Sequence, residues 1–156
     1  MTTKLGKLNL IIIIIFALSV VGLKIWQYHW SDINVELKNK TLHVLVAKTP
    51  YQHNRGLGGR DSLEEYDGML FIFTLPRRVG IVMRDMAFPL DIVWLNDSKV
   101  VDFASNVPIE PGVAEEDLKI YYPRLEADLV LELPAGWAKT NELKIGDAIS
   151  LTKKSP

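Results

Sequence analysis

No cysteine occurs in the 156 residues of this chain. Disulfides, thiolate nucleophiles, cysteine-based metal sites and a thiol-linked lipid anchor are therefore excluded together. The redox compartment stays open, because a chain without thiols suits any. Histidine is scarce, and His29, His43 and His53 show no ligand spacing, so no metal is expected. Serine catalysis lacks a G-x-S-x-G elbow. The stretch Arg55-Gly56-Leu57-Gly58-Gly59-Arg60 has neither a following Lys-Ser/Thr nor a G-x-G-x-x-G register, so no cofactor is expected from it. Its simpler role is a tight turn flanked by arginines, with Arg60 a candidate to hold an anionic group through its planar guanidinium. Positive charge is also sparse. Residues 1–30 hold Lys4, Lys7 and Lys24 and no acids, which leaves 15 basic and 19 acidic residues, a net of −4, in the remainder. Nucleic acid needs clustered Lys and Arg to displace counterions, so it is not expected as a partner.

What the chain does have is one long apolar run. Leu8 to Leu23 is apolar except for Asn9 and Ser19, with Lys4 and Lys7 before it and Trp26, Tyr28 and Trp30 after it. This pattern describes a membrane helix with an aromatic belt at its far end. The run is short against the usual ~20 residues, but Leu5 and the segment from Ile25 to Trp30 extend it through the interface. A cleaved signal peptide would show small residues in an A-x-A-like pattern, whereas this chain continues Val20-Val21-Gly22-Leu23-Lys24. An uncleaved signal anchor is the preferred reading. The lysines before the run favour a cytoplasmic N-terminus and a domain outside, so the expected location is the cell membrane, single-pass. The chain divides into an anchor at 1–30, a juxtamembrane linker at 31–40 and a β domain at 41–156.

Beyond the anchor, short β-rich runs alternate with Gly/Pro turns. Strands are expected at Ile33 to Leu37, Thr41 to Ala47, Gly68 to Phe73, Val79 to Arg84, Leu90 to Leu95, Lys99 to Ala104, Leu129 to Pro134 and within Leu143 to Leu151. Thr49-Pro50 has helix-start chemistry and Gly56 a helix stop; a brief helical turn is expected within Asp61 to Asp67 and another at Ala135 to Asn141. Ser105 to Leu118 is the most loop-like region, and a loop of that length is functional or mobile. The fold class expected is mainly β, a compact sandwich-like or barrel-like domain with one or two short helices, behind a transmembrane helix.

The segment Gly80 to Leu95 organises the domain. It carries Arg84, Asp85 and Asp91 inside an otherwise apolar run, and buried charges must be paired or hydrogen-bonded. Asp85 and Asp91, six apart with Pro89 between, either face one cleft as an acid/base pair or serve structure, Asp91 taking hydrogen bonds from backbone or Arg60. Trp137 is a core or rim anchor, and aromatic rims also stack on sugars.

Four ordered motifs then carry a resemblance. Arg55-Gly-Leu-Gly-Gly-Arg60, Gly68-Met-Leu-Phe-Ile-Phe73, Met83 with Pro89-Leu-Asp-Ile92, and Leu131-Glu-Leu-Pro-Ala-Gly-Trp137 with Gly146-Asp147 resemble the DUF192 family, also called UPF0127. The resemblance covers about Leu42 to Leu151. It implies a small, mainly β fold, often behind a signal peptide or anchor, with no established biochemical activity. This chain departs from the family pattern at Gly58, where Met is usual, at Val82, where Trp is usual, and at Asp85, where Asn is usual. Two functions are weighed. The preferred one is a membrane-tethered extracytoplasmic binding or accessory module that uses Arg60, Met83, Arg84, Asp85, Asp91 and Trp137 to hold a small molecule, a saccharide or an envelope protein. The alternative is a hydrolase-like enzyme with Asp85 and Asp91 as its acid/base pair.

Overall fold

The computed structural model describes residues 2–28 and 30–152, with side chains for 9–23 and 30–151. Helix α1, Thr2–Tyr28, forms one unit and the residues from Ser31 onward another. The described side chains of α1 are exposed and apolar apart from Asn9 and Ser19. The Ser19 hydroxyl donates to the Phe16 carbonyl at 2.7 Å, so the helix itself satisfies it. Among the described residues no helix is long and apolar enough to cross a membrane. The side chains of Lys4, Lys7, Lys24, Trp26 and Tyr28, which flank the expected anchor, and the whole of His29 lie outside the described residues.

The second unit is a seven-stranded sheet with few short helices. Its elements are β1 (Ser31–Leu37), β2 (Lys40–Ala47), α2 (Pro50–Arg55), β3 (Gly68–Arg77), β4 (Leu90–Asn96), β5 (Lys99–Val107), β6 (Ala127–Pro134), α3 (Trp137–Thr140) and β7 (Ile149–Thr152). The spatial order is β5-β4-β6-β3-β2-β1-β7. Among the described strands only β2 and β3 pair in parallel, and a parallel pair needs a crossover, which α2 and the turns after it supply. Thr49 and Gln52 form a reciprocal capping box with Pro50 in the first turn, and Gly56 at φ 49° ends the helix. The two hairpins turn on Lys38-Asn39 (φ 55° and 58°) and Asp97-Ser98 (φ 49° and 59°). Paired positive φ values match the twist of the flanking strands.

The sheet curls into a half-barrel. The edge strand β5 meets the segment that leads into the opposite edge: Val100 N–H donates to Asp147 O at 2.9 Å, Gly146 N–H to Val100 O at 2.8 Å, and Ile149 N–H to Ser98 O at 2.9 Å. Strand alternation then separates two faces. One carries Val35, Leu37, Val44, Leu70, Val93, Leu95, Leu131 and Leu133, packed with Ala138, Leu143 and Ile149 in the main core. The other carries Met69, Phe71, Leu90, Ile92, Trp94, Val130 and Glu132, and α2 and the loop between β3 and β4 cover it. At Gly68 any side chain would fall 2.1 Å from the Glu132 carbonyl oxygen, so only glycine lets β3 start this close to β6.

Three expectations change. Val79 to Arg84 is not a strand but a loop, whose ladder pairing among the described residues is one β-bridge between Ile81 and Tyr121. Its start is held by the Trp94 indole N–H, which donates to Val79 O at 2.9 Å, and Asp85 turns the chain at φ 53°. Residues 61–67 form bends and a turn with no helix. The expected linker at 31–40 is β1 and its hairpin turn.

Candidate functional site

Glu132 breaks the apolar pattern of β6. It pairs in register with Met69 of β3 on one side and Ile92 of β4 on the other, at the centre of the sheet. Only 5% of it is exposed, and burial acts on its carboxyl with no hydrogen bond to offset it among the described residues. Burial without compensation penalises the charged form and pushes the Glu132 carboxyl up to about 8. The group is therefore largely an uncharged acid at neutral pH, with one O–H donor and acceptor capacity to spare.

This carboxyl lines the floor of a cleft of about 190 Å³ between the sheet and its covering layer. The walls are apolar, from Leu57, Phe71, Ile81, Val82, Met86 and Leu90, and the mouth carries His53, Asn54, Arg55 and Arg84. Gly58 brings the two halves of the covering layer together: a Cβ there would sit 2.7 Å from the Arg84 carbonyl oxygen. The neighbouring Gly59 N–H donates to Asp85 O at 2.8 Å. His53 packs its ring 4.5 Å from that of Phe73, and its Nε2 lies 3.1 Å from Ala47 O. A carbonyl only accepts, so Nε2 is the donor in this contact.

Arg84 closes the rim. Its Nη1 donates to Asn54 O at 2.9 Å and to Asn54 Oδ1 at 3.1 Å, while Nε and Nη2 grip the Glu115 carboxylate as a fork. The hydrogen bonds to Glu115 raise the Arg84 pKa, and those from Arg84 lower that of Glu115. The long loop after β5 is thereby strapped to α2 across the mouth of the cleft.

The six expected site residues do not share this place. Arg84 is at the rim. Met83 is fully buried, Asp85 is exposed on its turn, and Trp137 packs half-buried against the main core. Arg60 is half-buried and does not line the cleft; its charge acts on Tyr66. Asp91 lies on the opposite face of the sheet, since it pairs with Leu133 while its neighbour Ile92 pairs with Glu132. It is fully buried, and three backbone N–H groups converge on it: Asn106 at 2.7 Å and Gly136 at 3.1 Å on Oδ1, and Ala138 at 2.7 Å on Oδ2. The first of these comes from a β-bulge. Leu90 pairs with Val107 and Ile92 with Ala104, so two residues of β5 oppose Asp91 and leave the Asn106 N–H without a ladder partner. Asp91 thus ties β4, the β5 bulge and the start of α3 together, and the structure does not bring it into one cleft with Asp85.

Glu132, Asn54 and Glu115 were missed. For Glu132 the signal was present: a lone carboxylate in a run apolar on both faces is the same anomaly that singled out Asp91. The Arg84 to Glu115 contact joins loops 31 positions apart, and no spacing announces it.

Comparison with known proteins places this geometry. Residues 33–151 match the family model DUF192, described as an uncharacterized ACR. A UPF0127 protein of Thermococcus kodakarensis is 31% identical over 124 residues, 75% of this chain and 71% of that one. A candidate transcription regulator from Sinorhizobium meliloti has a similar structure, with TM-score 0.68 and 27% identity over 78% of this chain and 95% of that one. A protein of unknown function from Novosphingobium aromaticivorans shares the fold, with TM-score 0.64 and 24% identity over 78% of this chain and 84% of that one.

Proposed function

Because this chain belongs to the DUF192 family, whose name carries no activity, the reading must come from the site, and we propose a membrane-tethered extracytoplasmic binding or accessory module. Its ligand enters the cleft over Glu132. The observation that carries this is a central, 95% buried carboxyl that has no hydrogen-bond partner among the described residues, in a cleft with apolar walls and a polar mouth. A fold keeps such a group against its desolvation cost when a ligand completes its hydrogen bonds. The tether is supported by the sequence of α1, whose run Leu8 to Leu23 is apolar except for Asn9 and Ser19. Lys4 and Lys7 before the apolar run keep the N-terminus cytoplasmic and the domain outside. Nucleic acid, suggested by the name of the Sinorhizobium protein, fits less well with a domain of net charge −4.

The test is thermal unfolding of the full chain in detergent, as wild type and as Glu132→Leu, against sugars, cell-wall fragments and small amides. Ligand at ~100 times its dissociation constant adds roughly 2.7 kcal/mol, several degrees for a domain of this size. A shift seen with wild type and lost in Glu132→Leu supports the reading; a shift unchanged in the variant moves the site elsewhere. Resistance of the chain to alkaline extraction from membranes, together with protease access to the domain only from outside the cell, tests the tether.

A further inference from the structure

The cleft also constrains what kind of molecule it takes, an inference that rests on the reading just given. The charged or titratable groups facing Glu132 across the cleft are His53 and Arg55 from the α2 side and Arg84 from the loop after β3. The flanking strands contribute only Phe71 and Leu90 to the lining. No second acid lines the cleft, and Glu115 is spent on the outward fork of Arg84. Fixed charge at the mouth is therefore neutral to positive, which opposes a cation. The floor offers one donor and one acceptor about as far apart as the two oxygens of a carboxyl group. The apolar walls solvate no charge on the ligand.

We propose that the ligand is an uncharged molecule presenting an acceptor and a donor side by side, as vicinal hydroxyls of a sugar or a primary amide do, and that it hydrogen-bonds the Glu132 carboxyl at the floor of the cleft. The O–H of Glu132 donates to the ligand's acceptor, and its carbonyl oxygen accepts from the ligand's donor. Both polar atoms that the fold leaves open are then satisfied at once. Ionisation of Glu132 removes the donor and places an uncompensated charge at the floor, so binding falls as pH rises through about 8.

The experiment uses the full chain in detergent with methyl-labelled methionine, reading Met86 at the cleft and Met83 as a buried fold reporter. The probes are xylose for vicinal hydroxyls, acetamide for a primary amide, and ethylammonium as the opposing cation, each titrated near about pH 6.5 and about pH 9. The expected result is that xylose or acetamide shifts Met86 with an affinity roughly tenfold weaker at the higher pH, the loss set by the fraction of Glu132 still protonated. Which of the two acts identifies the source of the chemistry. Glu132→Gln, an uncharged donor and acceptor of the same shape, keeps binding and loses the pH dependence. Glu132→Leu loses binding while Met83 stays native. Binding of ethylammonium that strengthens with pH and disappears in Glu132→Gln overturns the proposal while leaving the cleft as a site. Failure of all three probes to move Met86 overturns the proposal and the binding reading together.

Discussion

Replacing Asp91 separates a structural carboxylate from a functional one. Its two oxygens accept three N–H groups, at 2.7, 3.1 and 2.7 Å, and the residue has no exposed surface. In Asp91→Asn, the amide oxygen can keep the two contacts of Oδ1, from Asn106 and Gly136. The amide nitrogen then occupies the place of Oδ2 and points its hydrogens at the Ala138 N–H. Flipping the amide makes matters worse, since two N–H groups would face the nitrogen. One buried donor is therefore orphaned and opposed, at a cost of about 1–3 kcal/mol. Asp91→Ala orphans all three and leaves a void, which sums to roughly 3–6 kcal/mol if the backbone holds its position. Domain stabilities of ~5–15 kcal/mol leave that variant near or past unfolding. Urea denaturation of the full chain in detergent measures this. With a slope of about 1.5–2 kcal/mol per molar, Asp91→Asn moves the midpoint down by about 1 M and Asp91→Ala by about 2 M or more. A variant with wild-type midpoint would refute the account of Asp91 as a structural knot, and loss of ligand binding in that same stable variant would place Asp91 in the site after all.

Other perturbations follow from the same geometry. Glu132 titrates near 8 in the fold against about 4.5 unfolded, so between those values the native state holds the extra proton and stability falls as pH rises. The difference between wild type and Glu132→Gln should thus grow by about 3–5 kcal/mol from pH 4.5 to 8, and a flat difference curve would show that Glu132 is solvated or paired. Arg124 grips Asp102 at 2.6 Å and holds its carboxyl below the usual range. That stabilisation is present above the ordinary carboxylate range and lost as pH falls through the lowered value, so the melting-point deficit of Asp102→Asn should shrink in acid; a deficit independent of pH counts against it. Arg84→Gln cuts the strap to Glu115, and amide exchange in residues 110–121 should quicken while the global melting point barely moves, as expected of an exposed pair. Gly58→Ala drives a Cβ to 2.7 Å from Arg84 O; the covering layer must shift, at about 1–3 kcal/mol, measured by denaturant unfolding.

Much of the fold is legible from local chemistry. Thr49-Pro50 and Gly56 bracket α2, the two hairpin turns fall between alternating runs, and Leu90 to Leu95 reads as buried because it is. The curl of the sheet is not legible, because it rests on backbone bonds between Val100 and residues 146–147, which no side-chain pattern encodes. The expected strand at Val79 to Arg84 failed for a related reason. Its residues alternate well enough, but the indole of Trp94 and the positive φ of Asp85 hold it as a loop. For the site, the rule that a charge in an apolar run must be explained was sound, yet it led to Asp91, which the bulge in β5 absorbs. Glu132 obeys the same rule and has no such partner. Whether a buried carboxylate is satisfied depends on backbone groups distant in sequence, so the two acids look alike until the sheet register is known.

Selective observation of the Glu132 carboxyl carbon by NMR through a pH titration of the full chain, with Glu132→Gln to assign the signal, reads the protonation of the cleft floor itself. A midpoint near 8 in the ligand-free protein, moving higher when an uncharged ligand fills the cleft, is the expected result. A midpoint in the ordinary glutamate range near about 4.3 would mean that the floor of the cleft is a solvated carboxylate and that the account of this site is wrong.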